Sequence, residues 1–297
     1  MLSSTMFLRG LRIPIAVSIC AALSALLAPA AASAVHGVPL DHFRCYPLLF
    51  GPRADDVQVV LQDQFDIHLG LAIPGDEAAL AVFVGQPTRF CNPVQKTVGR
   101  RGSVETTEIG DPDAHLTLYR VHRSTALPPV SWKLKVRNQF GEQRLEARGP
   151  VALAVPTHKM EGELAFPENL DHFKCYAAEG RRIRRRAELA DQFETELVTV
   201  LEPRLFCNPT RKIDAGGNTT GVEHAAEHLV CYDIELVLGD PPASSIALVD
   251  RVIFNQFTGT ASADIVAVDD EDLLCVPSRK LAFGPHRGDD DDDDDDD

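Results

Sequence analysis

Three residues in the last third of the chain match a pattern that performs zinc chemistry. His224, Glu227 and His228 have the spacing His-x-x-Glu-His, in which a helix presents two histidines to zinc and the glutamate acts as a base. The pattern is short enough to arise by accident. His228 also begins a strand-like segment, which would hold the two histidines too far apart for one ion. A secreted zinc-dependent hydrolase is therefore kept as an alternative, and we expect neither a resident metal nor a cofactor.

A histidine followed four residues later by a tyrosine occurs four times. The pairs are His42 and Tyr46, His115 and Tyr119, His172 and Tyr176, and His228 and Tyr232. On a strand, both side chains of a pair point to the same face, so we expect each pair to be hydrogen-bonded and structural. Four identical active sites in one chain are improbable. We therefore assign no catalytic residue and expect a protein that is not an enzyme.

These pairs belong to a pattern that recurs four times, in segments that we call the first to fourth quarters. Each quarter continues with Asp or Asn, then Gln-Phe, and then Pro-x-x-Lys. The repeated glutamines are Gln64, Gln139, Gln192 and Gln256, and the repeated lysines are Lys96, Lys159, Lys212 and Lys280. The quarters form two long repeats, at about 40–159 and 170–280. Because all quarters keep these residues, we expect them to be structural.

The motifs resemble those of an uncharacterised family of secreted bacterial repeat domains, known only as a domain of unknown function. The resemblance rests on Leu-Asp-His-Phe-Arg/Lys-Cys-Tyr at 40–46 and 170–176, Asp-Gln-Phe at 63–65 and 191–193, and Cys-Asn-Pro at 91–93 and 207–209. It covers nearly all of residues 40–280. The resemblance implies secretion and a β-rich fold, and it implies no known activity.

The cysteines indicate disulfides within quarters. Three quarters carry one cysteine before the tyrosine and one before the proline, whereas the second quarter has Leu118 and Ala154 at these two places. Cysteines that are absent together are most simply partners in a disulfide. The predicted pairs are Cys45 with Cys91, Cys175 with Cys207, and Cys231 with Cys275. Zinc ligation is the competing use, and the close Cys-x-x-Cys spacing typical of zinc sites is missing.

The N-terminus is typical of an export signal. Arg9 and Arg12 precede an apolar run from Ile13 to Leu27, and the small residues at 32–34 predict cleavage before Val35. We expect an oxidising compartment, periplasmic or extracellular, and no membrane span after cleavage. The predicted organisation is a signal peptide at 1–34, a first β domain at 35–159, a linker at 160–169, a second β domain at 170–280, and a disordered acidic tail at 281–297.

The hydrophobic pattern predicts an all-β protein. Residues 132–137 alternate apolar and charged side chains, as in a half-buried strand, and no segment has sustained helical periodicity. In the first three quarters, the Asp or Asn before Gln-Phe is interpreted as a strand terminator that hydrogen-bonds the turning backbone. A single quarter is too small to bury a core. We therefore expect two tandem, disulfide-stapled β-barrel or β-sandwich units, each made of two quarters with about three or four strands apiece.

Charge restricts the choice of partner. The net charge of −15 includes nine consecutive aspartates at 289–297, and so acidic a chain is not built around nucleic acid. Arginines cluster at 181, 182 and 184–186. Arg182, Arg184 and Arg185 are predicted to contact an anionic partner such as a polysaccharide. The leading hypothesis is a secreted, non-catalytic repeat protein with an extracellular or envelope role in binding or structure. A calcium-responsive surface protein that uses the aspartate tail is a further alternative.

Overall fold

The computed structural model describes residues 39–50, 57–100, 103–123, 130–159, 167, 169–237, 249–257, 264–268 and 273–286. The predicted signal peptide, nearly all of the predicted linker at 160–169, and the aspartate run lie outside the described residues. Among the described residues, neither of the two short helices has the length or the apolar character needed to cross a membrane.

The described residues are nearly all β, as predicted. The first quarter contains β1 (Phe43–Phe50), β2 (Val57–Gln62), α1 (Gln64–His68), α2 (Glu77–Leu80), β3 (Ala81–Pro93), β4 (Gln95–Arg100) and β5 (Ser103–Thr107). The second contains β6 (His115–Arg123), β7 (Ser131–Asn138) and β8 (Gly141–Lys159). The third contains β9 (Phe173–Gly180), β10 (Arg185–Ala190), β11 (Thr195–Pro209), β12 (Arg211–Ile213) and β13 (Thr219–Thr220). The fourth contains β14 (His228–Leu236), β15 (Val249–Phe254), β16 (Asp264–Val268) and β17 (Leu273–His286).

Eight strands pair in a closed antiparallel ring. The order around the ring is β1, β3, β6, β8, β9, β11, β14 and β17, and β17 pairs again with β1. Each quarter supplies two adjacent strands, which are its His-x-x-x-Tyr strand and its Pro-x-x-Lys strand. The four quarters are therefore equivalent positions around one ring.

The division into two β domains at 35–159 and 170–280 is wrong. Strands of the two long repeats pair directly in β8–β9, β17–β1, β2–β12 and β4–β10, so the described parts of the two long repeats form one compact unit. If the four ring strands of one long repeat formed a sheet alone, its two edge strands would expose unpaired backbone N–H and C=O groups. Such edges promote aggregation, and pairing between the long repeats removes them. Residues 281–286, which were predicted to belong to the tail, form the end of β17 instead.

The inner face of the ring holds the three predicted disulfides, which are confirmed. Each joins two residues that lie directly opposite on neighbouring strands. In the second quarter, Leu118 lies opposite Ala154 at the corresponding place. Apolar side chains such as Phe43 and Phe173 complete this buried cluster, so one face of every ring strand is apolar.

A second core covers the outer face of the ring. The alternation at 132–137 is confirmed in β7, where Trp132, Leu134 and Val136 are buried and the intervening residues are exposed. They pack in one cluster with Phe65, Tyr176, Phe206 and Tyr232, among others. Phe65 stacks on Trp132 with ring centroids 4.3 Å apart. The segment after Asp63 is thereby anchored to strands of the second, third and fourth quarters.

Candidate functional site

Each repeated tyrosine bonds to the Asp or Asn of the quarter two places along. The hydroxyl groups of Tyr46 and Tyr176 donate to Asp191 Oδ2 and Asp63 Oδ2, both at 2.7 Å. In the other two quarters the amides donate, from Asn255 Nδ2 to Tyr119 at 2.8 Å and from Asn138 Nδ2 to Tyr232 at 2.7 Å. The tyrosines thus join opposite quarters through these hydrogen bonds. Their partners are these turns and not the histidines of their own strands, so that part of the prediction is corrected.

The same Asp and Asn residues close their local turns, as predicted for the first three quarters, and the fourth quarter does so too. Their side-chain oxygens accept the backbone N–H two residues later at 2.8–2.9 Å in all four quarters. This geometry is the Asx turn. One side chain therefore terminates a strand and also bonds to the opposite quarter. The bond to the opposite quarter also has a signal in the sequence. Where the turn residue is an aspartate, the quarter carries an asparagine beside its repeated proline (Asn92 or Asn208), and where it is an asparagine, the quarter carries a hydroxyl residue there (Thr157 or Ser278). Each of these side chains hydrogen-bonds the turn residue of the opposite quarter.

The repeated lysines lie over the phenylalanine of the next quarter. Nζ is 4.7 Å from the ring centroid of Phe140 for Lys96, and 4.7 Å from that of Phe65 for Lys280. The remaining contacts are Lys159 with Phe193 and Lys212 with Phe257. Burial disfavours the charged ammonium, and it lowers the pKa of Lys96 and Lys280 to about 7 and that of Lys212 to about 8. The lysines are thus part of the contact between successive quarters.

The repeated histidines are buried beside these lysines. Burial, followed by the charge of the neighbouring lysine, lowers the pKa of each histidine to about 3 (His42, His115, His172 and His228). An imidazole with so low a pKa is a poor proton acceptor near neutral pH. The arrangement thus suits a structural role better than acid–base catalysis.

Three of the four repeated glutamines bind the preceding quarter. Gln139 Nε2 donates to Thr107 Oγ1 at 2.9 Å, Gln192 Nε2 donates to the Pro112 carbonyl at 2.9 Å, and Gln256 hydrogen-bonds His172. Gln64 is different, because it is the first residue of α1. The first quarter therefore departs from the pattern at this point.

The Asp63 carboxylate accepts four hydrogen bonds, as many as that of Asp191, and its replacement has a measurable consequence. Its carboxylate accepts from Tyr176, Asn208 Nδ2 and the N–H groups of Phe65 and Asp66. We expect Asp63→Ala to lower the free energy of unfolding by about 2–3 kcal/mol, because buried donors lose their acceptor. Urea unfolding followed by the fluorescence of Trp132 measures the loss.

Asp76→Ala is the matched control for this prediction. Asp76 also precedes a helix, but its carboxylate accepts one exposed bond, from the Ala72 N–H. Its replacement is expected to cost less than about 1 kcal/mol. Equal losses in the two variants would show that the contacts of Asp63 between quarters contribute no stability.

The zinc motif does not adopt the helical geometry that zinc binding requires. Residues 224–227 form a turn in which the Glu227 N–H donates to the His224 carbonyl at 3.0 Å, and His228 begins β14. The backbone N–H of His224 donates to Asp171 at 2.8 Å. Across the described residues, no group of three or more His, Cys, Asp and Glu side chains is placed to hold a metal ion. The motif therefore lacks the arrangement that would support the hydrolase alternative.

The predicted anion-binding arginines lie together in the connection between β9 and β10 and at the start of β10. Arg181, Arg182, Arg184, Arg185 and Arg186 are all exposed. Arg182 Nε forms an ion pair with Glu202 at 3.1 Å, and Arg184 has a positive φ of 55°. The structure thus brings Arg182, Arg184 and Arg185 onto one exposed segment, where their charges are accessible.

A buried ion pair that sequence reasoning missed joins the first and third quarters. Lys174 Nζ lies 2.7 Å from Asp66 Oδ2. Burial raises the pKa of Asp66 to about 6, and the charge of Lys174 opposes that rise. The reciprocal pair is Arg44 with Glu194 at 2.9 Å. Both basic residues directly precede a ring cysteine, and both acidic residues lie three residues after the turn aspartate. An alignment of the two long repeats could therefore have identified these two reciprocal ion pairs.

Beside Lys174 lies a cavity of about 220 Å³ that is bounded by the segment containing α1 and α2. Its walls are mainly apolar, and its charged lining residues are Asp66, Arg123 and Lys174. Sequence reasoning assigned none of these three residues to a site. The available signal was the spacing, since the first quarter has many more residues between Gln-Phe and its next strand than the second or third quarter has.

The comparisons with known proteins agree with the repeat architecture. A family model described as a repeat of unknown function (DUF7450) matches residues 115–269, more than half of the chain. The match begins at the first residue of β6 and extends into the fourth quarter. No curated protein and no solved structure matches the chain. The chain belongs to this family of repeats of unknown function, in agreement with the resemblance found in its sequence motifs.

Proposed function

We propose that the chain is an exported, non-catalytic β-rich protein that binds an extracellular or envelope ligand through its surface loops. One observation carries the proposal: the repeated histidines and tyrosines and three of the four repeated lysines are buried in contacts within and between quarters, and the fourth lysine, Lys280, is half-buried. Side chains committed to holding a scaffold are poor candidates for chemistry. Binding specificity then belongs to the segments that differ between quarters.

Two further observations support export. Three disulfides lie within one ring, and disulfides of this kind persist in oxidising compartments and are rare in the cytosol. The sequence features at 1–34 are those of a cleavable signal. Export therefore remains part of the proposal.

For the ligand, we propose an anionic polysaccharide that contacts the arginine segment at 181–186. This segment carries five exposed cations, and Arg182 has a described carboxylate partner in Glu202. A polyanion would add several weak contacts at once. Exposed ion pairs contribute little singly, about 0.2–1 kcal/mol each, and they are screened by salt.

Heparin, a sulfated polysaccharide, is a suitable probe for this site. We expect the triple variant Arg182→Ala, Arg184→Ala, Arg185→Ala to bind heparin about tenfold more weakly at low salt, since three contacts of modest strength are lost. A heparin column with a salt gradient, followed by calorimetry, gives the measurement.

The control removes the same charge from a different surface. Lys133, Lys135 and Arg144 are exposed on β7 and β8, and their triple alanine variant is expected to retain most of the affinity. If both triple variants lose affinity equally, binding follows net charge and the arginine segment has no special role. If wild type does not bind heparin at low salt, the polysaccharide assignment is wrong.

A further inference from the structure

The first quarter has an insertion that the second and third quarters lack. In the second quarter, residues 139–140 separate the turn Asn138 from the next strand, and in the third quarter residues 192–194 separate Asp191 from β11. In the first quarter, residues 64–80 separate Asp63 from β3, and they form α1 and α2. Insertions in one repeat of an otherwise regular array commonly form its binding face. The insertion at 64–80 is therefore the place to look for a site that the repeats do not share.

The insertion contributes half of the cavity's walls. The apolar lining comes from the insertion on one side and from strands and their connections on the other: Leu69, Leu71, Ala79, Leu80, Val82, Val130 and Pro150. Leu80 and Val82 are almost fully buried. A preformed, mostly apolar concavity with a few polar groups is the usual form of a small-molecule site.

The charged side chains that line the cavity differ in whether an opposite charge neutralises them. Lys174 Nζ donates to both carboxylate oxygens of Asp66, at 2.9 and 2.7 Å, so these two charges neutralise each other. Arg123 is half-buried at the end of β6, where it lies opposite Val82. Within the described part of the chain, its guanidinium has neither a hydrogen bond nor an ion pair. A cation on an apolar wall is costly unless an anion meets it.

Electrostatics supports an inward orientation of Arg123. Burial raises the pKa of the Tyr176 hydroxyl, and the charge of Arg123 is close enough to oppose part of that rise. Tyr176 belongs to the same outer core as Phe65, the residue before Asp66. The unpaired cation therefore faces the buried side of the insertion.

We propose that this cavity binds a small monocarboxylate with an apolar body, whose carboxylate pairs with Arg123. A dry cavity of about 150 Å³ holds a benzene molecule, so a cavity of about 220 Å³ admits a body of roughly eight carbons. This site goes beyond the proposed polysaccharide surface. It lies at the beginning of β9, whereas the arginine segment follows the end of that strand.

Octanoate titrated into the full, disulfide-bonded chain tests the proposal. Binding is expected to be saturable, with one molecule per chain by calorimetry, and to change the fluorescence of Trp132, the only tryptophan, which stacks on Phe65. Arg123→Gln should weaken octanoate binding at least tenfold. Arg120→Gln changes an exposed arginine on the same strand and should leave the affinity within twofold of wild type.

Two further ligands distinguish the contribution of the ligand's carboxylate from that of its apolar body. Octanol has the same chain without the carboxylate, so its weaker binding should be insensitive to Arg123→Gln. Hydrocinnamate presents an aromatic body of similar size, and the tighter of the two acids identifies a fatty or an aromatic ligand. Equal octanoate affinity in wild type and Arg123→Gln would overturn the proposal, as would no binding at millimolar octanoate.

Ala79→Phe is a second variant that fills the cavity and leaves Arg123 in place. A folded Ala79→Phe chain should lose octanoate binding and retain its affinity for heparin. Unchanged octanoate binding in this variant would place the ligand elsewhere and overturn the proposal. Because heparin retention is measured on the same samples, failure of the carboxylate site is distinguishable from failure of the polysaccharide surface.

Discussion

The free energy of unfolding is expected to fall steeply as the pH drops below about 6.5. The four buried histidines have pKa values of about 3 in the folded chain, against about 6.5 when exposed. Between these values the unfolded chain binds more protons than the folded chain, so stability is lost as pH falls through this window. Well below pH 6.5, each histidine contributes about 1.4 kcal/mol per pH unit, and four contribute about 5–6. A domain of ordinary stability, about 5–15 kcal/mol, then unfolds between about pH 5.5 and pH 4.

Denaturant titrations from pH 4.5 to pH 7, monitored by tryptophan fluorescence, measure this dependence. The variant His42→Gln removes one proton-binding group, so its slope should be lower than that of wild type by about 1.4 kcal/mol per pH unit, whatever its stability at pH 7. His122→Gln, an exposed histidine on β6, controls for the substitution. Identical slopes in wild type and His42→Gln would show that the buried histidines do not govern acid unfolding.

The buried lysines extend the same trend above neutral pH. The pKa values of Lys96, Lys212 and Lys280 are about 7 to 8 in the folded chain, below the ordinary 10.5. Between these values the unfolded chain again binds more protons, so stability should continue to rise with pH towards about pH 10. The rise ends there because burial raises the pKa of Tyr176, and the unfolded chain then loses protons that the folded chain keeps. Maximum stability is therefore expected at alkaline pH.

Features that depend on neighbouring residues could be predicted from the sequence. The alternation at 132–137 describes β7 because a half-buried strand needs only its own pattern. The Asp or Asn turns could be predicted because the side chain bonds the backbone two residues later. The disulfides could be paired because the second quarter lacks both cysteines.

Features that depend on which distant strands meet could not be predicted in the same way. Tyr46 bonds to Asp191, and Tyr176 to Asp63, and the pattern within one quarter does not identify the partner quarter, which only a comparison of the turn residues between quarters indicates. The two-domain prediction failed for this reason, since two quarters have enough strands for a sheet but leave edges open. The helices of the insertion were missed because α1 has five residues and α2 four, which is too short for a helical period to be detected.

The candidate carboxylate site was missed because it depends on contacts between distant strands and on the insertion with its short helices. Asp66 has a counterpart in Glu194, whereas the position of Arg123 is occupied by Phe50, Gly180 or Leu236 in the other quarters, so the repeat comparison passes over Arg123. Lys174 is recognisable only as the residue before a ring cysteine. Their proximity follows from the closure of the ring, which brings the first, second and third quarters to one place. A site that includes residues particular to single quarters is thus recognised only in the three-dimensional structure.

A fourth disulfide is expected to form in the variant Leu118→Cys, Ala154→Cys. These residues lie directly opposite each other on β6 and β8, as the cysteines of the three native disulfides do on their own strand pairs. The bond would close a loop of about the same length as the native bonds, whose separations are 46, 32 and 44 residues. In the chain-entropy account, such a loop adds about 3–4 kcal/mol to the free energy of unfolding.

Mass spectrometry under non-reducing conditions identifies the new bond, and urea unfolding measures the gain in stability. The matched control is Leu116→Cys, Ala154→Cys, because Leu116 lies opposite Pro156 and not opposite Ala154, so this pair is out of register and should stay reduced. A fourth bond that forms in the first variant and not in the second would establish that the quarter without cysteines occupies an equivalent place in the ring. If the first variant stays reduced after oxidative refolding, Leu118 and Ala154 do not face each other inside the ring, and the four-quarter equivalence that underlies the fold is wrong.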